Sequence, residues 1–185
     1  MKRHVLLLLF SITVISCGPF LKVSELKKNG RFKASKVATT LKSVPFDLDT
    51  HKALLVVPQD ESKFFIGMAK NISYFDRVIT FENLEKEIEK AGNLDKISSL
   101  RGLDRWSKAY EIYQPFLILT NDFRDEDETY WQLKLINPAN NEELFVNEIP
   151  YDFDKILWIT DKNTYNPTYN GLIEYIESNS TTYNK

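Results

Sequence analysis

Cysteine is almost missing from this 185-residue chain: it has one, Cys17, and a lone cysteine cannot close an intrachain disulfide, which excludes a disulfide scaffold. Histidine is nearly as scarce. With only His4 and His51 present, neither a histidine-based catalytic triad nor a multi-histidine zinc site can be assembled. The six glycines are scattered and form no phosphate-cradling loop, so nucleotide binding is not expected. Together with seven prolines, they are also too few for collagen-like repeats or low-complexity disorder. Neither charge dominates: 24 Lys+Arg against 26 Asp+Glu leave a net of −2, which gives no basis for nucleic-acid binding. No apolar run reaches the roughly 20 residues that a membrane-spanning helix requires. What is present is a hydrophobic fraction of 43%, enough to build one core, in a chain whose length fits one domain.

The amino end carries the most specific pattern. Lys2-Arg3-His4 is a cationic cap, and residues 5–15 form an apolar run broken only by Ser11 and Thr13. This is the build of a secretory signal, too short to span a bilayer. The run closes in Val14-Ile15-Ser16-Cys17-Gly18. That succession resembles the lipobox of bacterial lipoproteins, and the resemblance implies a diacylglycerol thioether on the Cys17 thiol, cleavage before it, and an acylated amino terminus. A thiolate is the nucleophile that such lipid transfer needs. Several acyl chains, at about 0.8 kcal/mol per buried methylene, anchor a protein without spanning the membrane. The resemblance carries a location as well. Gly18 stands where an inner-membrane retention signal has aspartate, and no acidic run follows, so an outer-membrane, periplasm-facing address is expected.

Residues 1–16 are thus read as a signal peptide, 17–44 as the acylated cysteine and a basic tether, and 45–185 as a single α/β domain. Residues 18–44 hold Lys22, Lys27, Lys28, Arg31, Lys33, Lys36 and Lys42 against Glu25, a net of +6, while residues 45–185 carry −10. A basic tether beside lipid fits anionic headgroups or a cell-wall polymer, and equally a solubilising linker. Residues 37–44 have β character suited to pairing at a domain edge.

Beyond Pro45 the pattern becomes periodic. Ala53-Leu54-Leu55-Val56-Val57 reads as a strand buried on both faces. Phe64, Phe65, Met68, Ala69 and Ile72 recur at helical spacing, with Ser62 as cap. A strand over 77–81 precedes a helix over 82–91, acidic at its start and stopped by Gly92. Leu103, Trp106, Tyr110 and Tyr113 mark a helix from about 97 to Pro115. A strand over 116–120 leads to an acidic turn over 122–128. Strands over 130–136 and 143–149, joined by Asn137-Pro138-Ala139-Asn140-Asn141, form an antiparallel hairpin with one solvated face. Residues 156–160 fit strand or helix, and Asn166-Pro167 opens a last helix with the stripe Tyr169, Leu172, Ile173, Ile176. The order β-α-β-α-α-β-β-β-α describes a mixed α/β fold, one sheet with helices packed on it.

Few groups could carry chemistry. Asp122, Asp125, Glu126, Asp127 and Glu128 could offer oxygens to Ca²⁺, yet they lack the glycine and terminal glutamate of a helical calcium loop, and a solvated hairpin tip is the preferred reading. His51 reads as an ordinary polar residue at a strand entrance. Tyr165, Tyr169 and Tyr175, with Trp158, fit a stacking surface for sugar or peptide, or core filling. Asp152 and Asp154, two positions apart and so on one strand face, offer an acid/base pair for glycoside cleavage.

The succession Ala53-Leu54-Leu55-Val56-Val57-Pro58, Val78-Ile79-Thr80 into a helix, Pro115-Phe116-Leu117-Ile118-Leu119, and Trp131-Gln132-Leu133-Lys134-Leu135-Ile136 turning into Glu143-Leu144-Phe145-Val146 is similar to the envelope α/β domain of the TolB amino-terminal, curli-secretion lipoprotein and penicillin-binding-protein activator group. The resemblance implies a non-catalytic domain that binds a protein partner or assembles into oligomers, with no cofactor or metal. The expected function is therefore a lipid-anchored adaptor or assembly factor, held to membrane lipid through Cys17. The alternative is a lipid-anchored hydrolase of cell-wall or exported glycan using Asp152 and Asp154.

Overall fold

The computed structural model describes residues 23–57, 62–125, 127–151 and 163–183. The elements run β1 (Thr39–Ser43), a 3-10 turn (Leu48–Thr50), β2 (Leu55–Val57), α1 (Ser62–Ile72), β3 (Val78–Thr80), α2 (Phe81–Lys90), α3 (Asp95–Ser98), α4 (Gly102–Ile112), β4 (Leu117–Asp125), β5 (Thr129–Asn137), β6 (Glu142–Pro150) and α5 (Tyr165–Asn179). The six strands form one open mixed sheet in the order β1-β6-β5-β4-β2-β3. β2 lies parallel to β3 and β4, while β4, β5, β6 and β1 pair antiparallel. The mixed α/β reading of the sequence holds, from the first buried strand to the last helix.

The alternation of side chains along the strands divides the core in two. Leu55 and Val57 of β2, Leu117 and Leu119 of β4, and Trp131, Leu133 and Leu135 of β5 face α1 and α5. Leu54, Val56, Phe116, Ile118 and Ile136 face α2, α3 and α4. A strand wedged between two helical layers has no solvated face, which is why β2 and the start of β4 read as unbroken apolar runs. Fully burying side chains of this kind contributes on the order of 2–3 kcal/mol each.

The amino-terminal stretch expected as a tether is packed on the domain from Val23 onward. Phe32 is 2% exposed and meets Tyr169 edge-on at 6.2 Å. Arg31 forms a two-pronged ion pair with Glu177 at 2.8 and 2.5 Å, and Phe32 N–H donates to Asn170 Oδ1 at 2.8 Å. Val23 sits so close over α1 that a Cβ on Gly67 would lie 2.5 Å from Val23 Cγ2. The apolar residues interspersed among the lysines are the cause: Val23, Leu26 and Phe32 cover the outer side of α1 and α5. The edge pairing expected of residues 37–44 is present as β1 against β6.

Four local expectations change. The helix drawn from 97 to 115 is two, because the chain breaks before Gly102, which takes φ +53° in the left-handed region and starts α4. Leu103 then falls in the first turn and is 41% exposed, while Trp106, Tyr110 and Tyr113 pack on the core. The acidic turn begins later than expected. β4 pairs with β5 as far as Asp125 opposite Thr129, since ladder hydrogen bonds come from the backbone and Asp122 finds the Lys134 ammonium across the strands. The outer face of the hairpin is not simply solvated, because Gln132 and Glu148 are buried there beneath Arg124. Finally, α5 starts at Tyr165, which places Pro167 within the first turn, where a missing N–H costs nothing.

Candidate functional site

The residues singled out from sequence are distributed as follows. Cys17, Asp152, Asp154, Trp158 and residues 156–160 lie outside the described residues, as does Glu126. Asp122 and Asp125 sit in β4, with Asp122 accepting from Lys134 Nζ at 3.3 Å. Among the described residues, no group of three His, Cys, Asp or Glu side chains could hold a metal ion. Tyr165, Tyr169 and Tyr175 are buried, so of the two readings open for them core filling holds. They fill the space under α5, with Trp131 5.0 Å from Tyr165 and Phe145 stacked 5.1 Å from Tyr175. Burial pushes the Tyr175 hydroxyl up to about 12.

His51 bridges the 3-10 turn to α4. Its Nε2 lies 2.8 Å from Tyr110 Oη and its Nδ1 2.7 Å from Thr50 Oγ1, with Phe46 and Tyr110 against the ring. Burial lowers its pKa against the opposing pull of Asp47, which keeps the ring neutral near pH 7. Nearby, Asp49 gathers the carboxyl end: Ser180 Oγ, Thr182 Oγ1, Tyr74 Oη, and the N–H and Oγ1 of Thr181 all donate to it, at 2.6 to 2.9 Å. The Ser180 and Thr182 hydroxyls chiefly hold its carboxyl well below the usual range. Both clusters are saturated and structural.

A third cluster lies on the sheet. Glu148 is 5% exposed and takes a two-pronged ion pair from Arg124, at 2.7 and 3.0 Å, and a hydrogen bond from Gln132 Nε2 at 2.9 Å. Burial raises the Glu148 carboxyl, but the Arg124 and Gln132 bonds outweigh it and leave the group below its ordinary value. Arg124 also lies 4.5 Å over the Tyr130 ring.

Among the described residues, a surface open to another molecule lies at the opposite end of the sheet. β3 pairs only with β2 among the described strands, so it forms an edge. Beside it opens a depression of about 560 Å³ lined by Lys70, residues 73–77, Val78 and Ile79. Its build follows from the sequence. α1 stops at Ile72 because Ser73 turns into the left-handed region at φ 58°. The Tyr74-Phe75 pair then drops into the core, while Asp76 and Arg77 stay outside. Tyr74, Phe75 and Val78 thus form an apolar floor, with Lys70, Asp76 and Arg77 on the rim. The Arg77 guanidinium pairs with Glu87 of α2, whose other oxygen accepts from the hydroxyl of Tyr113. That network fixes the rim to α2 and to the end of α4. Sequence reading missed this site, although Tyr74-Phe75 off the helical period, followed at once by two charges, was its signal.

An open mixed α/β fold with a strand edge unpaired among the described residues and a rimmed groove is the class that fold and site define. No family model matches the sequence, and no curated protein matches it. Among solved structures, the fold is similar to the LpoB C-terminal domain from Escherichia coli, with 10% identity and a TM-score of 0.37 over 56% of this chain and 84% of that one. The same domain from Salmonella enterica gives 12% identity and a TM-score of 0.38 over 58% and 87%. The lipoprotein GNA1162 from Neisseria meningitidis gives 16% and 0.29 over 53% and 81%. Likeness at this level assigns the chain neither a family nor a partner.

Proposed function

We propose that this chain is a lipid-anchored lipoprotein of the bacterial envelope, acylated at Cys17 on the outer membrane and facing the periplasm, which acts as a non-catalytic adaptor or assembly factor for a protein partner. The observation that carries the reading is the cationic cap and apolar run closing on Val14-Ile15-Ser16-Cys17, with the only cysteine of the chain at the acylation position. Among the described residues no helix is long and apolar enough to cross a membrane, so on this reading attachment falls to Cys17.

The β3 edge supplies the means of binding. An extended segment of the partner adds beside Val78, Ile79 and Thr80, satisfying backbone groups that a sheet edge leaves free. Alternate side chains of that segment reach the floor of Tyr74 and Phe75, and the charged rim sets its polarity. Binding of this kind needs no nucleophile, acid or metal.

The test is a membrane pull-down with the tagged chain carrying a photoreactive residue at Ile79, beside a control carrying it at Asn140 on the exposed β5–β6 turn. The expected result is one protein captured from Ile79 and not from Asn140. A high-salt wash of the membranes is expected to leave the acylated parent bound and to release Cys17→Ala. Equal or absent capture at both positions overturns the adaptor reading, and a Cys17→Ala chain that resists the salt wash overturns the anchor.

A further inference from the structure

The described residues carry four exposed large apolar side chains, and two of them lie in or just before one strand: Val37 is 90% exposed and Leu41 50%. Both belong to the β1 region, where every residue of the strand is exposed and the outer edge faces no other described strand. Lys36 and Lys42 stand beside them, exposed, and neither takes part in an ion pair among the described residues. Lys33 continues the same exposed, unpaired line; the nearest cation before it, Arg31, is neutralised by Glu177. The strip therefore sets unneutralised lysines beside unshielded aliphatics on a chain whose other portion, residues 45–185, carries −10.

We infer that the β1 edge is an interfacial docking strip for an anionic phospholipid bilayer. The pattern matches what such a surface attracts: cations at headgroup level, and short apolar side chains that enter the boundary of the acyl region. A second copy of the same edge is disfavoured, because self-pairing would bring the lysines of both copies together at an edge with no acid among residues 36–43. A nucleic acid would engage the lysines but leave Val37 and Leu41 without a role. Docking here also fixes an orientation. β1 and β3 are the two borders of a six-stranded sheet, about 24 Å apart at the usual strand spacing. With β1 on the lipid, the groove beside β3 points away from the membrane and stays open to a partner.

This inference takes from the proposed function only the nearness of a membrane, and it is tested without the anchor. The mature chain of residues 17–185 bearing Cys17→Ala is mixed with vesicles of phosphatidylcholine, with or without one-third phosphatidylglycerol, and sedimented. Binding to the anionic vesicles alone is expected, falling steeply with added salt. Lys36→Gln with Lys42→Gln should lower it about 25-fold, at about five-fold per lysine near an anionic surface. Val37→Ser with Leu41→Ser should weaken it several-fold while leaving its salt dependence unchanged. All four positions are exposed, and thermal melting superimposable on the parent confirms that the variants are folded. Equal sedimentation with both vesicle types overturns the inference. So does anionic binding that Lys36→Gln with Lys42→Gln leaves intact, since the attachment would then lie elsewhere on the chain. Either failure leaves the Cys17 anchor and the Ile79 capture untouched, because the anchor is read under a salt wash that strips electrostatic docking and the capture on acylated protein in membranes.

Discussion

Gly171 lies in the middle of α5, where alanine would ordinarily stabilise a helix by about 1 kcal/mol. The structure reverses the expected sign. A Cβ at this position falls far inside contact distance of Asn147 Nδ2, and lies 3.6 Å from Asn147 Cγ and 3.5 Å from Phe145 Cζ. Asn147 is fully buried and cannot swing to solvent; its Nδ2 donates to the Thr168 carbonyl at 2.8 Å, tying β6 to α5. Gly171→Ala must push that amide aside and strand a buried donor, at a cost of about 1–3 kcal/mol, with overpacking adding about 1–3. Setting the helix gain against these leaves a net loss of about 1–5 kcal/mol. For a chain of this size, each kcal/mol moves the melting temperature by about 2–4 °C, so Gly171→Ala should melt roughly 2–20 °C lower. Calorimetry or circular dichroism reads the shift. The cause is isolated by repeating the substitution over Asn147→Ser, which removes the obstructing amide. There Gly171→Ala should cost little or stabilise. A Gly171→Ala protein as stable as the parent, or an equal loss in both backgrounds, would refute the reasoning.

Asp49→Asn should free the carboxyl end, raising hydrogen exchange at the Thr181 and Thr182 amides that donate to it at 2.8 and 3.2 Å while leaving the β4–β5 ladder protected. Because the Asp49 carboxyl is held far below its ordinary value of 3.8, its contribution is complete above that pH and is lost as pH falls below it; Asp49→Asn should flatten that part of an acid titration of stability. Glu148→Gln removes the charge that answers Arg124 in a buried position and should cost about 1–3 kcal/mol, read as a lower urea midpoint at unchanged slope. The Glu148 pKa is also depressed, so the difference between Glu148→Gln and parent should shrink as pH falls below about 4.5. His51 has a lowered pKa, which means that the fold favours the neutral ring; stability present above the ordinary value of 6.5 should decline as pH falls below it, and His51→Gln should remove that decline in pH-dependent melts.

The strands and helices that bury apolar side chains were legible because their periods are unambiguous. Leu54 to Val57, apolar at every position, could only be a strand between two layers, and Leu84 with Ile88 at i, i+4 gave α2 to within a residue. Features set by the backbone or by partners far along the chain were not. Asp122 to Asp125 read as a turn by composition, yet their strand is fixed by pairing with residues 129–132, which composition does not encode. The Tyr165, Tyr169 and Tyr175 group could have been core or surface until Trp131, Phe32 and Phe145 were brought against it. The basic charge of residues 18–44 is plain in the sequence, but the same stretch holds Phe32, whose ring packs on Tyr169 and whose N–H bonds Asn170, 138 positions away. The groove beside β3 was hidden for a related reason: its rim joins Arg77, just before β3, to Glu87 of α2 and to Tyr113, just after α4.

The central claim is that this domain is held to a membrane by its one cysteine, and the most direct measurement is the intact mass of the protein extracted from cell membranes, with the modified peptide sequenced. The expected species begins at Cys17, lacks residues 1–16, and carries diacylglycerol on the thiol of that residue. A chain that retains residues 1–16, or one cut elsewhere with an unmodified Cys17 thiol, would contradict the account.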